Sequence, residues 1–237
     1  MAGLSTVYPT EAEAAVVAAA EALMEETMKK YDPSHDALHV YRVRKTALAL
    51  ARSQTPQPDL LVVELAALLH DVLDKKYVSA AEAADPYNAF RPFFERVVSH
   101  VDLLGDGRAR LIVRVIENVS WTTEKKLRAE SKLGPWHDAC VELHCVQDAD
   151  RLDAIGAFGI LRTAAYSAAV NRPLHVPPED PRAAGSSIGH FYDKLLHIES
   201  RLKTPQGKAM GKERHQLMLT FLDGIEKEYN AIIPQNV

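Results

Sequence analysis

Apolar and polar residues follow one another along most of this chain with the period of an α-helix. The segment 11–31 is rich in Ala, Glu, Leu and Met, and apolar positions from 38 to 50 recur every three or four residues. From Leu60 to about Asp71 the chain is apolar on most sides, which predicts a central helix that Asp59 caps. No alternating run is long enough to predict a strand. The pattern therefore predicts an all-α fold of about eight helices.

The second half of the chain continues the helical pattern with one long interruption. Pro135 occupies a typical helix-start position, and the pattern then runs toward Ala169. The segment 172–187 carries four prolines and predicts a long surface loop, after which two closing helices follow. No linker rich in Gly or Ser divides the chain. The sequence predicts a single domain over residues 1–237, with its core in 31–160 and the closing helices in 188–230.

Composition and charge exclude several classes of protein. The 28 Lys and Arg against 32 Asp and Glu give a net charge of −4, so we expect no nucleic-acid polymer as a partner. The longest early apolar run, 14–20, is too short for a signal peptide or for the roughly 20 apolar residues of a membrane span. Cys140 and Cys145 fit neither a disulfide framework nor a zinc knuckle and are expected to be buried thiols. These features predict a cytoplasmic protein without a membrane partner.

One pair of polar residues lies where a core helix should be apolar. The sequence contains no P-loop, dinucleotide-binding fingerprint, nucleophile elbow or His-Glu-x-x-His motif. His70 and Asp71 end a run of five consecutive apolar residues, whereas the other two His-Asp pairs lie at predicted helix starts. Burying an unpaired imidazole and carboxylate costs several kcal/mol, so something must compensate. Taken alone, the pair is compatible with a metal or catalytic role and with a satisfied structural pair.

Two further segments carry candidate chemistry. His35 and His39 are four residues apart and share one face of a helix start, which is also the pattern of one surface and one half-buried histidine. Later in the chain, three acids and an arginine interrupt a helix, and a buried Arg–Asp network is an alternative to a binding site there. These four residues are Asp148, Asp150, Arg151 and Asp153.

Taken in order, His39, His70-Asp71 and Asp148 resemble the H…HD…D signature of the HD superfamily of metal-dependent phosphohydrolases. The resemblance covers the chain from about residue 31 to 220. Within the superfamily, this chain resembles the small stand-alone HD nucleotide pyrophosphohydrolases, in which the same motifs follow in the same order. It implies an all-helical fold, in agreement with the periodicity. The segments that carry it are SHDALHVYRV, ALLHDVLDKKY, IENVSW, VQDADRLDAIGAFGI, HFYDKLL and ERHQLM.

The resemblance implies a single divalent metal ion, with His35 as an alternative to the first of its ligands. Two imidazoles and two carboxylates form a donor set that accepts Mn²⁺ or Mg²⁺ above all, and also Fe²⁺, Ni²⁺ or Zn²⁺. Such an ion would acidify a bound water and neutralise charge on the attacked phosphoryl group. The implied ligands are His39, His70, Asp71 and Asp148.

Residues around the implied metal site receive roles from the same resemblance. Asp74 is the candidate general base or water-orienting group, with an exposed acid in the last helical turn as the alternative. Lys76 is implied as a catalytic phosphate contact, and Lys194 and Arg214 are weaker substrate-binding candidates that could equally be surface salt-bridging residues. Two arginines are expected to pair with the buried carboxylates, and Trp121 replaces a phenylalanine more common in the family. The two arginines are Arg42 and Arg151.

The function implied by the resemblance is hydrolysis of a nucleoside triphosphate, a deoxynucleotide in particular, to monophosphate and pyrophosphate. A 5′-nucleotidase or other phosphomonoesterase with the same metal site is one alternative. A non-catalytic nucleotide sensor is another, against which the retention of all four ligands together with Asp74 argues. A nucleotide is the expected partner in each case. A homodimer stays open, because no residue decides the oligomeric state.

Overall fold

The structure, a computed structural model, describes residues 7–73, 84–177 and 179–231. Its described residues form eleven α-helices and three short 3-10 turns and contain no strand, which confirms the predicted all-α fold. No helix within these ranges has both the length and the apolar composition that crossing a bilayer requires. The α-helices are α1 (Glu11–Met28), α2 (Ala37–Arg52), α3 (Leu60–Leu69), α4 (Pro86–Val97), α5 (Arg108–Val119), α6 (Trp121–Ala129), α7 (Pro135–Ala139), α8 (Val141–Asp153), α9 (Gly156–Ala169), α10 (Ser187–Asp193) and α11 (Pro205–Tyr229).

The first three helices begin at side-chain caps. The Thr10 hydroxyl accepts a hydrogen bond from the Glu13 N–H at 3.3 Å, and the Glu13 carboxylate accepts one from the Thr10 N–H at 2.8 Å. Asp36 accepts from the His39 N–H at 2.9 Å, and Asp59 accepts from two N–H groups in the first turn of α3. These bonds satisfy donors that a helix start leaves unpaired. Local sequence therefore sets where α1, α2 and α3 begin.

The chain divides into two compact units, Met1–Asp150 and Arg151–Val237. In the first unit, all ten residues of α3 are buried, and α3 packs against α1, α2 and α5. This confirms the prediction that the most apolar helix is the central one. In the second unit, α9 packs against α10 and α11.

The helix predicted from residue 136 toward 169 is broken twice. Cys140 has an extended ψ of 99°, which separates α7 from α8. The second break lies at Ile155 and Gly156, where Ile155 is extended and Gly156 has a φ of 74°. A Cβ on Gly156 would also lie 2.9 Å from Cγ of Arg214. Glycine is needed at this turn, since other residues rarely adopt such a φ.

The closing helices also differ from the prediction. The predicted helix that begins near residue 188 ends at Asp193 and is followed by 3-10 turns at Leu195–His197 and Glu199–Arg201. The proline-bearing segment before it is a loop that contains one 3-10 turn. Backbone bonds tie its ends together, with the Ser187 N–H donating to the Pro173 carbonyl at 2.8 Å.

Both cysteines are buried and free, which confirms the prediction of buried thiols. Burial raises the pKa of Cys140 to about 11 and that of Cys145 to about 12. Both thiols are therefore protonated at neutral pH, a state in which they are poor nucleophiles and poor metal ligands.

Candidate metal centre

Three helices of the first unit bring imidazoles and carboxylates to one point. His39 lies in the first turn of α2, is fully buried, and follows the cap residue Asp36 by three positions. His70 is the residue at which α3 ends, and Asp71 follows it in a turn. Because the helix ends here, two consecutive side chains can face the same point, which they could not do within a helix. Asp150 reaches the same point from α8.

The four side chains converge at short distances. Nε2 of His39 lies 3.5 Å from Oδ2 of Asp71 and 3.6 Å from Oδ1 of Asp150. Nε2 of His70 lies 3.4 Å and 3.8 Å from the same two oxygens. His39, His70 and Asp150 each offer a ligand atom, and these three atoms all lie within 4.8 Å of one another.

The acid that lies beside both imidazoles is Asp150, whereas the family resemblance implies Asp148 as the fourth ligand. Residues two apart on an α-helix point roughly 200° away from each other, so α8 cannot direct both side chains to one point. Asp148 is fully buried, and the Asp150 side chain is 25% exposed. The spacing of residues along the sequence is compatible with either acid. Which of the two faces the imidazoles depends on the rotation of α8 about its axis.

Hydrogen bonding determines which nitrogen of His70 carries the proton. Nδ1 of His70 lies 2.8 Å from the carbonyl oxygen of Ala67. A carbonyl only accepts, so Nδ1 is the protonated nitrogen and Nε2 presents a lone pair. Nε2 is buried and makes no hydrogen bond to any residue in the described ranges. A buried acceptor left without a donor costs about 1–3 kcal/mol, which a bound cation would offset.

Asp71 supplies negative charge at this point. Burial acts to raise the pKa of its carboxyl, but the electrostatic interaction with His70 and the hydrogen bond and electrostatic interaction with His39 hold that pKa well below its ordinary range. The carboxyl group is therefore ionised at neutral pH. The Nε2 lone pair of His70 and the charge of Asp71 thus lie close together at this centre.

The donor set fits a divalent cation. Bonds of about 2.1 Å at angles of roughly 90–130° place donor atoms about 3.0–3.8 Å apart. The nitrogen–oxygen separations of 3.4–3.8 Å lie within that range. Two imidazole nitrogens with two carboxylates suit Mn²⁺, Fe²⁺ or Zn²⁺, and the oxygens also suit Mg²⁺. These residues can hold one such ion.

The other predicted catalytic and substrate-binding residues lie either outside the described ranges or in the second unit. Asp74 and Lys76 lie outside the described residues. Lys194 directly follows α10, and Arg214 lies on α11, both in the second unit. Burial lowers the pKa of Arg214, whose guanidinium donates to the carbonyl of Leu152. Their roles as phosphate contacts stay predictions.

The structure also describes the two predicted arginines, Arg42 and Arg151, and Trp121. Arg151 is 1% exposed and donates from Nη1 to the carbonyl of Arg201 at 3.1 Å, within the second unit. Arg42 lies on α2, three residues beyond His39. Trp121 is the first residue of α6.

Sequence reasoning missed a second buried polar cluster on α2 and α3. The Glu64 side chain is only 4% exposed, and its Oε1 accepts from Nη2 and Nε of Arg44 at 2.5 Å and 2.6 Å. Nη1 of Arg44 also pairs with Glu21 at 2.7 Å, and the hydroxyl of Tyr8 donates to Glu64. The feature of the sequence that could have predicted this cluster is Glu64, a charged residue within the apolar run of α3.

Known proteins resemble this chain in both sequence and structure. The HD domain family matches residues 37–155. The YpgQ protein of Bacillus subtilis is 31% identical over 203 residues, which cover 84% of this chain and 86% of YpgQ. The crystal structure of YpgQ in complex with ADP has a TM-score of 0.65 and 27% identity, covering 94% of this chain and 98% of that one. An HD-superfamily hydrolase of Bacillus thuringiensis has a TM-score of 0.67 and 29% identity, covering 93% and 100%.

Proposed function

Because this chain belongs to the HD-domain family, we propose that it is a divalent-metal-dependent phosphohydrolase. Its proposed substrate is a nucleoside triphosphate, cleaved between the α- and β-phosphates to give monophosphate and pyrophosphate. A deoxynucleotide is the preferred form in this proposal, and Mn²⁺ or Mg²⁺ is the preferred ion.

The observation that carries the proposal is the convergence of two imidazole nitrogens and two carboxylates in the first unit. The lone pair of His70 and the ionised Asp71 both suit a bound cation. The B. subtilis relative crystallised with ADP supports a nucleotide as the ligand. Phosphate groups are anionic, so a cation at this point would also attract the substrate.

We propose His39, His70, Asp71 and Asp150 as the residues that hold the ion. When bound, the ion supplies a Lewis acid that acidifies water and withdraws charge from a phosphoryl oxygen. Ala67 holds the His70 ring in the required tautomer through its carbonyl. The partial exposure of Asp71 and Asp150, 18% and 25% of their side chains, leaves a path for the phosphates. Asp74 as the base and Lys76 as the phosphate contact complete the proposal.

A nucleotide panel with resolved products tests this function. With Mn²⁺ or Mg²⁺, we expect the purified protein to release pyrophosphate from deoxynucleoside triphosphates, and EDTA to abolish the release. Asp71→Ala should lower turnover by at least about 10³-fold, because one ligand and its charge are lost. Unchanged turnover in Asp71→Ala would contradict the mechanism. Release of orthophosphate from monophosphates would instead indicate a phosphomonoesterase, and nucleotide binding without turnover a sensor.

A matched pair of variants on α8 tests the fourth ligand. Asp150→Asn should weaken Mn²⁺ binding by about 10–100-fold or more, whereas Asp148→Asn should change it only a few-fold. Isothermal titration with Mn²⁺ measures both without any assumption about the substrate. The reverse ranking would assign the ligand role to Asp148, as the sequence predicts.

A further inference from the structure

We propose that this chain forms a homodimer through an apolar surface of its second unit, in which Leu161 of each copy enters a groove of the other. This α9 surface comprises Leu161, three alanines on the same face of α9, Leu174 and the groove beside them. The four residues proposed to hold the ion all lie in the first unit. The inference therefore does not depend on the proposed function.

The groove lies between α9, α10 and α11 and is lined almost entirely by apolar groups. It has a volume of about 140 Å³, and its lining includes Ile160, Ala164, Phe191, Phe221 and Ile225. Leu174 also lines the groove and is 58% exposed, so the groove is open to solvent there. Because an apolar cavity of about 150 Å³ admits a group the size of benzene, this groove has room for a leucine side chain.

The outward face of α9 carries a large apolar side chain among small ones. Leu161 is 66% exposed. Ala157, Ala164 and Ala168 are also exposed, and they share the face of Leu161 because they lie three, four or seven residues from it. Their short side chains allow another helix to approach closely. Leu161 thus projects from a face that is otherwise low.

This face of α9 carries no charge. Within α9, all of which the structure describes, Arg162 is the only charged residue. Its side chain is 13% exposed, and its Nη1 pairs with Oδ2 of Asp153 at 3.2 Å. The guanidinium is therefore engaged inside the second unit and away from the outward face. Contiguous exposed apolar surface of this kind marks interaction sites.

A second copy of this chain suits the α9 surface better than a different partner does. In a two-fold symmetric contact the same patch meets itself, so a projecting side chain and the cavity that receives it must lie on one surface. Leu161 meets this requirement, because Ile160 and Ala164 on the same helix line the groove. A charged residue near the symmetry axis would be repelled by its own copy, and α9 presents none there.

The extent of the α9 surface agrees with a dimer contact. The 14 residues of α9 form a helix about 21 Å long. With the groove beside it, the strip is about two helices wide and covers roughly 450 Å² in projection. A standard interface removes about 800 Å² from each partner and has an apolar core inside a polar rim. The α9 surface can supply that core.

Analytical ultracentrifugation of the full-length protein tests the proposal. We expect a dimer that dissociates on dilution. Leu161→Glu should raise the dissociation constant at least about 100-fold, because it brings a carboxylate to an apolar groove in both halves of the contact. Leu161→Ala adds no charge and should raise it about 10-fold. Since Leu161 is exposed in the single chain, both variants should keep the helical circular-dichroism spectrum of the unaltered protein.

Leu219→Glu is the matched control in the same unit. Leu219 is 39% exposed on α11, and it lies about 120° or more around that helix from Phe221 and Ile225, which line the groove. The dissociation constant of this variant should stay within about three-fold of the unaltered value.

Each other outcome overturns the proposal. A monomer at every concentration would leave the groove to another occupant, either a different protein or residues 232–237, which lie outside the described ranges. A dimer that Leu161→Glu leaves intact, or that Leu219→Glu weakens equally, would mean that the copies meet through another surface. None of these measurements requires nucleotide hydrolysis, so they stand whether or not the proposed function does.

Discussion

The same two helices, α2 and α3, hold two buried polar clusters of opposite character. One cluster joins Arg44 of α2 to Glu64 of α3, and its nitrogen–oxygen distances are 2.5–2.6 Å. The other joins His39 of α2 to His70 at the end of α3, and its nitrogen–oxygen distances to the two aspartates are 3.4–3.8 Å. In the first cluster donors meet acceptors, whereas in the second the His70 lone pair lies close to two carboxylates.

This difference separates a structural cluster from a binding site. The Arg44–Glu64 cluster is complete without a ligand, because a guanidinium supplies the charge and the donors that the carboxylates need. In the proposed function a cation completes the His39–His70 cluster, and the wider spacing of this cluster is what a central ion would require. Burial of polar residues therefore does not by itself indicate function. The balance of donors and acceptors within the cluster does.

Adding a metal should stabilise the protein through one cluster only. With Mn²⁺ at about 100 times its Kd, the free energy of unfolding should rise by about 2.7 kcal/mol, which raises the melting temperature by about 5–10 °C. Glu64→Gln should retain the shift, and Asp150→Ala should lose most of it. Thermal unfolding with and without Mn²⁺ measures this. A full shift in Asp150→Ala would mean that the ion binds elsewhere.

Breaking the other cluster should destabilise the protein without metal. In EDTA, Glu64→Gln should lower the free energy of unfolding by about 2 kcal/mol, because a largely buried guanidinium loses its partner. The loss stays below the larger values known for buried pairs, since Arg44 is 24% exposed and keeps Glu21. Urea denaturation measures this loss of unfolding free energy. In the same buffer Asp150→Ala should change stability by less than about 0.5 kcal/mol, and a larger loss would give Asp150 a structural role.

Of these three predictions, the removal of the Tyr8 hydroxyl should have the smallest effect on stability. Burial, together with the hydrogen bond to Glu64 and its charge, raises the pKa of the Tyr8 phenol, so the hydroxyl is protonated and donates at neutral pH. Tyr8→Phe should cost about 1 kcal/mol of unfolding free energy in urea denaturation. Combined with Glu64→Gln, the loss should be less than the sum of the two single losses. Strict additivity would mean that the two side chains do not interact.

The choice between Asp148 and Asp150 illustrates where sequence reasoning stops. Both acids lie in the same interrupted helical segment, and the H…HD…D order is compatible with either. The structure brings Asp150 to the imidazoles, since the rotation of α8 depends on what that helix packs against. The breaks at Cys140 and Gly156 were missed for a related reason: the apolar period continues across them, although the backbone does not.

What the chain determines by itself is local. Thr10, Asp36 and Asp59 start their helices through bonds that span three residues, and the apolar run of α3 requires a central position whatever surrounds it. His70 and Asp71 stood out because polar groups in such a run demand compensation. Only tertiary structure decided which carboxylate lies beside the two imidazoles, because this depends on the rotation and approach of separate helices, which no short-range pattern encodes.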